Sequence, residues 1–199
     1  LARGDGVLLA GSDTFLNEVS GNLIGTETGG EDALGNGSHG VALALGAHDN
    51  SIGGPDPGDG NTIAFNAGDG VSLSATAGNG NGIAGNSIHS NSGMGIDLGN
   101  DGVTPNDSGD ADTGANERQN FPDLMAAENG STHITGALDS TPSKTFHLEF
   151  FYSAACDNST GTHGEGQTFL GQADVTTAAN GIAAIDVTFG ATVPAGQVI

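Results

Sequence analysis

Positive charge is what this sequence has least of: Lys and Arg number 3 against 24 Asp and Glu, a formal net charge of −21 over 199 residues. A surface that negative repels phosphate backbones and anionic lipid headgroups, which excludes nucleic acid as a partner. Cysteine occurs once, at Cys156, so an intrachain disulfide framework and a four-cysteine zinc site are both excluded. Tryptophan is absent, aromatics are 5% and apolar residues 35%, so any core has to be thin. No apolar run approaches the length of a bilayer span, which excludes membrane insertion by a helix. No signal peptide is recognisable, and the chain opens on "GVLLAG" and stops on "VPAGQVI" as a segment of a longer precursor would, its targeting signals lost with its ends. Glycine is abundant, 36 residues beside 6 Pro, yet regularly recurring Ile, Val and Leu through the first hundred residues argue against disorder.

That recurrence is a repeat. "DGVLLAG", "HGVALALG", "DGVSLSA" and "MGIDLG" align on Gly6, Gly40, Gly70 and Gly95, spaced 34, 30 and 25 residues apart. Between them a second pattern, Asn-x-Ile/Val or Asn-Leu-Ile, occurs twice per repeat, at Asn17 and Asn22, Asn50 and Asn61, Asn81 and Asn86. Three short strands per repeat, with Gly and Asn at the corners and no 3.6-residue period, predict a parallel β-helix whose inward Val, Ile and Leu pile into a narrow core. Corner asparagines then bond to neighbouring coils, and Val7, Val41, Val71 and Ile96 form one inward column. The variable spacing reads as loop insertion at corners.

The segments "GNLIGTETGGEDALGNGSHGVAL", "GNTIAFNAGDGVSL", "GNSIHSNSGMGIDLGNDGVTPND" and "GDADTGANERQNFP" resemble those of secreted bacterial right-handed parallel β-helix repeat proteins of the pectin-lyase-like superfold. The likeness continues through "FHLEFFYSAACD" and "GEGQTFLG" and so covers nearly the whole chain. It implies a fold and a secreted or cell-surface location, and says little about activity.

After Pro122 the pattern becomes alternating strands, "THITGAL", "TFHLEFFYS", "QTFLGQADVTT" and "IAAIDVTFG", with an Asn-Gly hairpin signal between the last two. Together with the resemblance, they predict a small antiparallel β-sandwich. The expected organisation is all-β: a short right-handed parallel β-helix over residues 1–100, an acidic Gly/Asp junction loop over 101–129, and a β-sandwich over 130–199 truncated before its last strand.

Two constellations carry candidate chemistry. In the junction, Asp101, Asp107, Asp110 and Asp112 offer hard oxygen ligands on a Gly-punctuated loop, with Asn116 and backbone carbonyls to complete a Ca²⁺ shell. The spacing is not that of an EF-hand, and the competing reading is a solvated cap over the last coil. In the repeat, Asp5, His39 and Asp69 each stand just before the shared glycine, so stacking makes them a column. Asp5 and Asp69 are then about 9–10 Å apart, near the upper limit for an inverting acid/base pair. Asp97 extends that row on the fourth strand. The competing reading is turn chemistry, because Asp and His before Gly bond to their own backbone. Cys156, with His147 and His163 in the same half, is a further nucleophile reading set against an inert semi-buried thiol.

The preferred expectation is a secreted or cell-surface structural or adhesive module, stabilised by calcium and contacting polysaccharide or cell-surface glycan. The alternative is a polysaccharide-active enzyme, a lyase, epimerase, glycosidase or carbohydrate esterase, using outward carboxylates of the β-helix. Arg3, Arg118 and Lys144 are the only fixed cations, too few for a uronate lyase unless calcium neutralises the substrate. Whether the chain is an enzyme stays open at this level.

Overall fold

Glycine turns and asparagine corners leave only two to four residues between them for each strand, and the chain uses those residues in rotation. A computed structural model describes residues 4–128, 132–156 and 164–199, with backbone alone at 126–128. The first circuit comprises β1 (Val7–Ala10), β2 (Glu18–Val19) and β3 (Leu23–Ile24). The second comprises β4 (Val41–Ala44), β5 (Ser51–Gly53) and β6 (Thr62–Ala64). The third comprises β7 (Val71–Ser74), β8 (Gly82–Ala84) and β9 (Ser87–His89), and β10 (Ile96–Gly99) begins a fourth. Every third strand pairs in parallel, giving sheets β1-β4-β7-β10, β2-β5-β8 and β3-β6-β9.

Register follows the sequence alignment: Val7, Val41, Val71 and Ile96 face one another along the first sheet, as do Leu9, Leu43, Leu73 and Leu98. Val41, Leu43, Val71, Leu73, Ile52 and Ile63 are completely buried and form one core. The two ends of the column are less buried: Val7 is half-buried, and Ile96 is 40% exposed, because no complete circuit follows it and it lines a cleft of about 560 Å³ shared with Phe121 and His147. Glycine is obligatory where circuits touch backbone to backbone. At Gly25, with φ +86°, an added Cβ would collide with the Ala64 carbonyl and the Asn66 side chain of the next circuit.

The junction reaches a short 3₁₀ turn, Ala115–Arg118, in which Asn116, Glu117 and Arg118 all have positive φ (47°, 57° and 51°). Beyond it lie β11 (Asp123–Glu128), β12 (Thr132–Asp139), β13 (Thr145–Tyr152), β14 (Thr168–Thr176) and β15 (Ile182–Phe189). These are antiparallel, in a sheet β11-β12-β15 and a pair β13-β14. Alternation puts Ile134, Leu138, Phe146, Leu148, Phe150, Val175 and Ile185 into a second core contributed by both sheets.

Two expectations are corrected here. β11 falls in the segment read from sequence as junction loop, yet it pairs along β12 and so belongs with the antiparallel unit. Asn180-Gly181 does turn the chain, with Gly181 at φ +83°, but it leads from β14 in one sheet to β15 in the other and closes no hairpin. β14 pairs back with β13, the strand before it, and β15 passes over both to pair with β12, so the turn between β14 and β15 has no hold on the pairing.

Candidate functional site

The corners of the circuits are held by side-chain ladders with a fixed direction. Asn17 donates through both its backbone N–H and Nδ2 to Asn50 Oδ1 (3.0 and 2.9 Å), and Asn50 donates in the same way to Asn81 Oδ1 (3.2 and 3.0 Å). A second ladder runs Asn22–Asn61–Asn86 and a third Asn36–Asn66–Asn91, each built from the same pair of bonds. Asn50, Asn61 and Asn66 are buried, so these bonds satisfy backbone groups that water does not reach. The first two ladders are readable from the Asn-x-Ile pattern. The third was missed, although its signal is present: Asn36, Asn66 and Asn91 each stand four residues before the shared glycine.

The rest of the chain supplies the end acceptor of two ladders, the first and the third, and beside the end of the second it takes the backbone N–H of Gly85. Asn116 Oδ1 accepts from Asn81 N–H at 3.1 Å while its Nδ2 donates to Asn81 O at 2.7 Å. Glu149 on β13 takes Gly85 N–H with both carboxylate oxygens (3.1 and 2.8 Å). Glu165 Oε1 stands where the next Asn Oδ1 would be, accepting from Asn91 N–H and Nδ2 at 3.1 and 2.9 Å. Asn116, read from sequence as a calcium ligand, is thus placed as the end of the first ladder. A left-handed residue costs about 1–2 kcal/mol, and these bonds are what hold Asn116 there. No sequence pattern marks Glu149 or Glu165, because their role comes from docking of the antiparallel unit.

Asp5, His39 and Asp69 do form a column, and it is a fourth ladder. His39 N–H donates to Asp5 Oδ1 (3.1 Å), Asp69 N–H to His39 Nδ1 (3.0 Å), and Met94 N–H to Asp69 Oδ1 (2.8 Å). His39 Nδ1 also lies 3.1 Å from Asp69 Oδ2. One ring nitrogen cannot both accept from the amide and donate to the carboxylate. The fixed amide proton decides, and we assign the neutral tautomer with its proton on Nε2. Asp97 lies off this column: it is in register with Ser72 on the fourth strand, and the column's fourth member is Met94. Asp97 is buried, which pushes its carboxyl above the ordinary aspartate value. The Gly102 amide bonded to it at 2.9 Å opposes the shift, and the nearby Asp69 charge adds to it.

A specific stability test follows. Asp69→Asn keeps an oxygen for Met94 N–H and should leave the melting temperature nearly unchanged. Asp69→Ala strands that amide in a half-buried site and should cost about 1–3 kcal/mol, read by urea titration.

In the junction the structure brings three of the four sequence-selected aspartates together. Asp107, Asp110 and Asp112 each present a carboxylate oxygen within 4.8 Å of the other two, and all three are half-buried. Asp101 is engaged elsewhere, 2.7 Å from Arg118 in an ion pair. Asn120, buried and not singled out from sequence, organises the loop. Its Nδ2 donates to Asp107 O and Asp139 O (2.6 and 2.7 Å), its Oδ1 accepts from Asp107 N–H, and its N–H donates to Asp110 Oδ1. Ser140 Oγ donates to Asp110 Oδ2 at 2.7 Å, and Ala111 N–H is shared by the two oxygens of Asp107. Asp112 differs: its Oδ1 is buried without a hydrogen-bond partner among the described residues. Burial, then the negative charges of Asp107 and Asp110, push the Asp112 carboxyl above its ordinary value. Three converging carboxylates with one oxygen unpaired fit a hard divalent cation.

Arg3, named above among the fixed cations, and His163, named beside Cys156, lie outside the described residues, and Cys156 is a half-buried free thiol. Compared with protein-family models and with curated proteins, the sequence finds no match.

Proposed function

We propose that this protein is a structural module of the cell surface or extracellular space: a right-handed parallel β-helix, joined through a calcium-stabilised loop to an antiparallel β-sandwich, that contacts glycan along its flat coil faces. The observation that carries this reading is the use made of its polar side chains. Asp5, His39 and Asp69, the residues best placed for acid/base work, each accept a backbone N–H from the following circuit, as structural ladder members do. The calcium part rests on Asp107, Asp110 and Asp112, whose mutual repulsion a bound cation relieves, and on the unpaired Asp112 Oδ1. Calcium here supplies charge neutralisation and a tie between the loop and the end of β12. These carboxylates and backbone carbonyls are the ligands on offer.

The test is thermal unfolding in EDTA and in excess Ca²⁺. Binding to the folded state alone adds about 2.7 kcal/mol at a hundredfold excess over Kd. Asp112→Asn separates metal from simple charge relief. The folded Asp112 carboxyl holds its proton more tightly than the unfolded one, so its favourable contribution is complete at acid pH and is lost as pH rises through the folded value. In EDTA at neutral pH, Asn should therefore melt higher than the parent, the gain vanishing below about pH 3.9. In Ca²⁺ the order should reverse. A melting temperature indifferent to Ca²⁺ in both proteins removes the metal from the proposal.

One observation favours the enzymatic alternative. Asp97 is a buried carboxyl with a raised pKa beside Asp69 on the outer side of the first sheet, the kind of group that serves as a general acid. Turnover of any polysaccharide or simple ester, lost in both Asp97→Asn and Asp69→Asn with folding intact, would replace the scaffold reading.

A further inference from the structure

We infer that the open face of the first circuit, formed by β1, β2 and β3, is an interaction surface whose occupant is one more circuit of the same repeat. The inference goes beyond the proposed function and uses only the direction of the ladders. In all three asparagine ladders the earlier circuit donates and the later one accepts, so Asn17, Asn22 and Asn36 direct their N–H and Nδ2 groups to the second circuit. Their Oδ1 atoms meet no donor among the described residues. The fourth ladder runs the opposite way: the later circuit donates its amide to the earlier side chain. Its open terminus is therefore a donor, Asp5 N–H. The face thus presents three acceptors and one donor at fixed corners, beside the free edge of β1, which pairs with β4 alone. Its apolar part is unfinished as well. Val7 and Leu9 are only half-buried, whereas Val41 and Leu43, at the same register one circuit on, are fully buried.

The complement of that pattern is three asparagine donors and one side-chain acceptor, which is what residues 39–68 present to the third circuit. Asn50, Asn61 and Asn66 donate there, and His39 Nδ1 accepts from Asp69 N–H. A second copy of the protein does not match. Face to face it sets acceptors against acceptors, and at its own donor end Asn81 and Asn91 are closed by Asn116 and Glu165, Gly85 N–H is taken by Glu149, and Asn86 Nδ2 is bonded to Ile52 O and Ala84 O.

The experiment fuses an extra copy of residues 39–68 directly ahead of Asp5, reproducing the sequence step from Gly68 to Asp69. Val7 N–H is bonded to Gly40 O, so by alternation the Leu8 and Ala10 amides face the open edge. The fusion should melt at least about 5 °C above the parent, and amide exchange at Leu8 and Ala10 should slow at least tenfold. The same fusion with Asn50→Leu, Asn61→Leu and Asn66→Leu in the added copy should lose both gains. A fusion that melts no higher than the parent, with the added copy removed by protease while residues 5–199 persist, overturns the inference. Sedimentation of the parent should show a monomer at rising concentration; a dimer that protects β1 also overturns it, since a second copy then occupies the face.

Discussion

Val41→Asp is expected to abolish folding of the three-sheet unit. Val41 is completely buried, paired with Val7 on one side and Val71 on the other, in a core one side chain wide. A carboxylate placed there has no partner: the surrounding core is Val, Leu, Ile and Ala. Burying it costs several kcal/mol even if it takes up a proton, against a total folding stability on the order of 5–15 kcal/mol. The loss should propagate, because each circuit is held mainly by its two neighbours and the second circuit joins the first to the third. Circular dichroism should show the parallel-sheet signal gone at 25 °C. The control is Leu8→Asp, one residue along β1 from Val7 and 59% exposed, which should change stability by no more than about 0.5 kcal/mol. Equal tolerance of both changes would reject the assigned inward face.

The second large effect belongs to a polar residue. Asn61 is wholly buried, takes Asn22 N–H and Nδ2 on its Oδ1, and gives its Nδ2 to Asn86 Oδ1 and Val19 O. Asn61→Leu is close in volume and more apolar, so a ledger of hydrophobic burial alone scores it as neutral or favourable. It instead leaves Asn22 N–H and Val19 O without their partners and Asn86 Oδ1 with one donor fewer. At about 1–3 kcal/mol for each stranded buried group, the expected loss is about 3–6 kcal/mol, read as a lower urea midpoint with unchanged slope. Asn22→Leu is the comparison. Asn22 is exposed and heads its ladder, so water replaces what is lost and the change should cost about 1 kcal/mol or less. If the two variants lose the same amount, the ladders are not what holds the corners.

The repeat is the part of this protein that local sequence determines. A circuit contacts only the circuits beside it, so Gly6, Gly40, Gly70 and Gly95 and the asparagines after them carry their own register, and the pairings Val7–Val41–Val71–Ile96 could be written from alignment alone. The column Asp5–His39–Asp69 was legible for the same reason. What it does was not, because the choice between an outward acid and a ladder member depends on which amide of the next circuit points at it. The junction was legible only as charge. Asn120 and Ser140, bonded to Asp107 and Asp110, hold those two in the group they form with Asp112, while Asp101 turns to Arg118, and neither arrangement is written in the spacing of the aspartates. Strands β12 to β15 of the antiparallel unit were readable by their alternation, whereas β11 and the pairing of all five were not. β12 lies beside β15 and β13 beside β14, and β11 joins them, because two sheets must close over one core and a two-residue period does not say which sheet a strand enters. Tertiary structure alone decided that Glu165 ends the Asn36–Asn66–Asn91 ladder and that Glu149 takes the Gly85 N–H beside the Asn22–Asn61–Asn86 ladder. A solenoid leaves one row of backbone donors open at its last circuit, and only a segment distant in sequence, brought there by folding, can accept them.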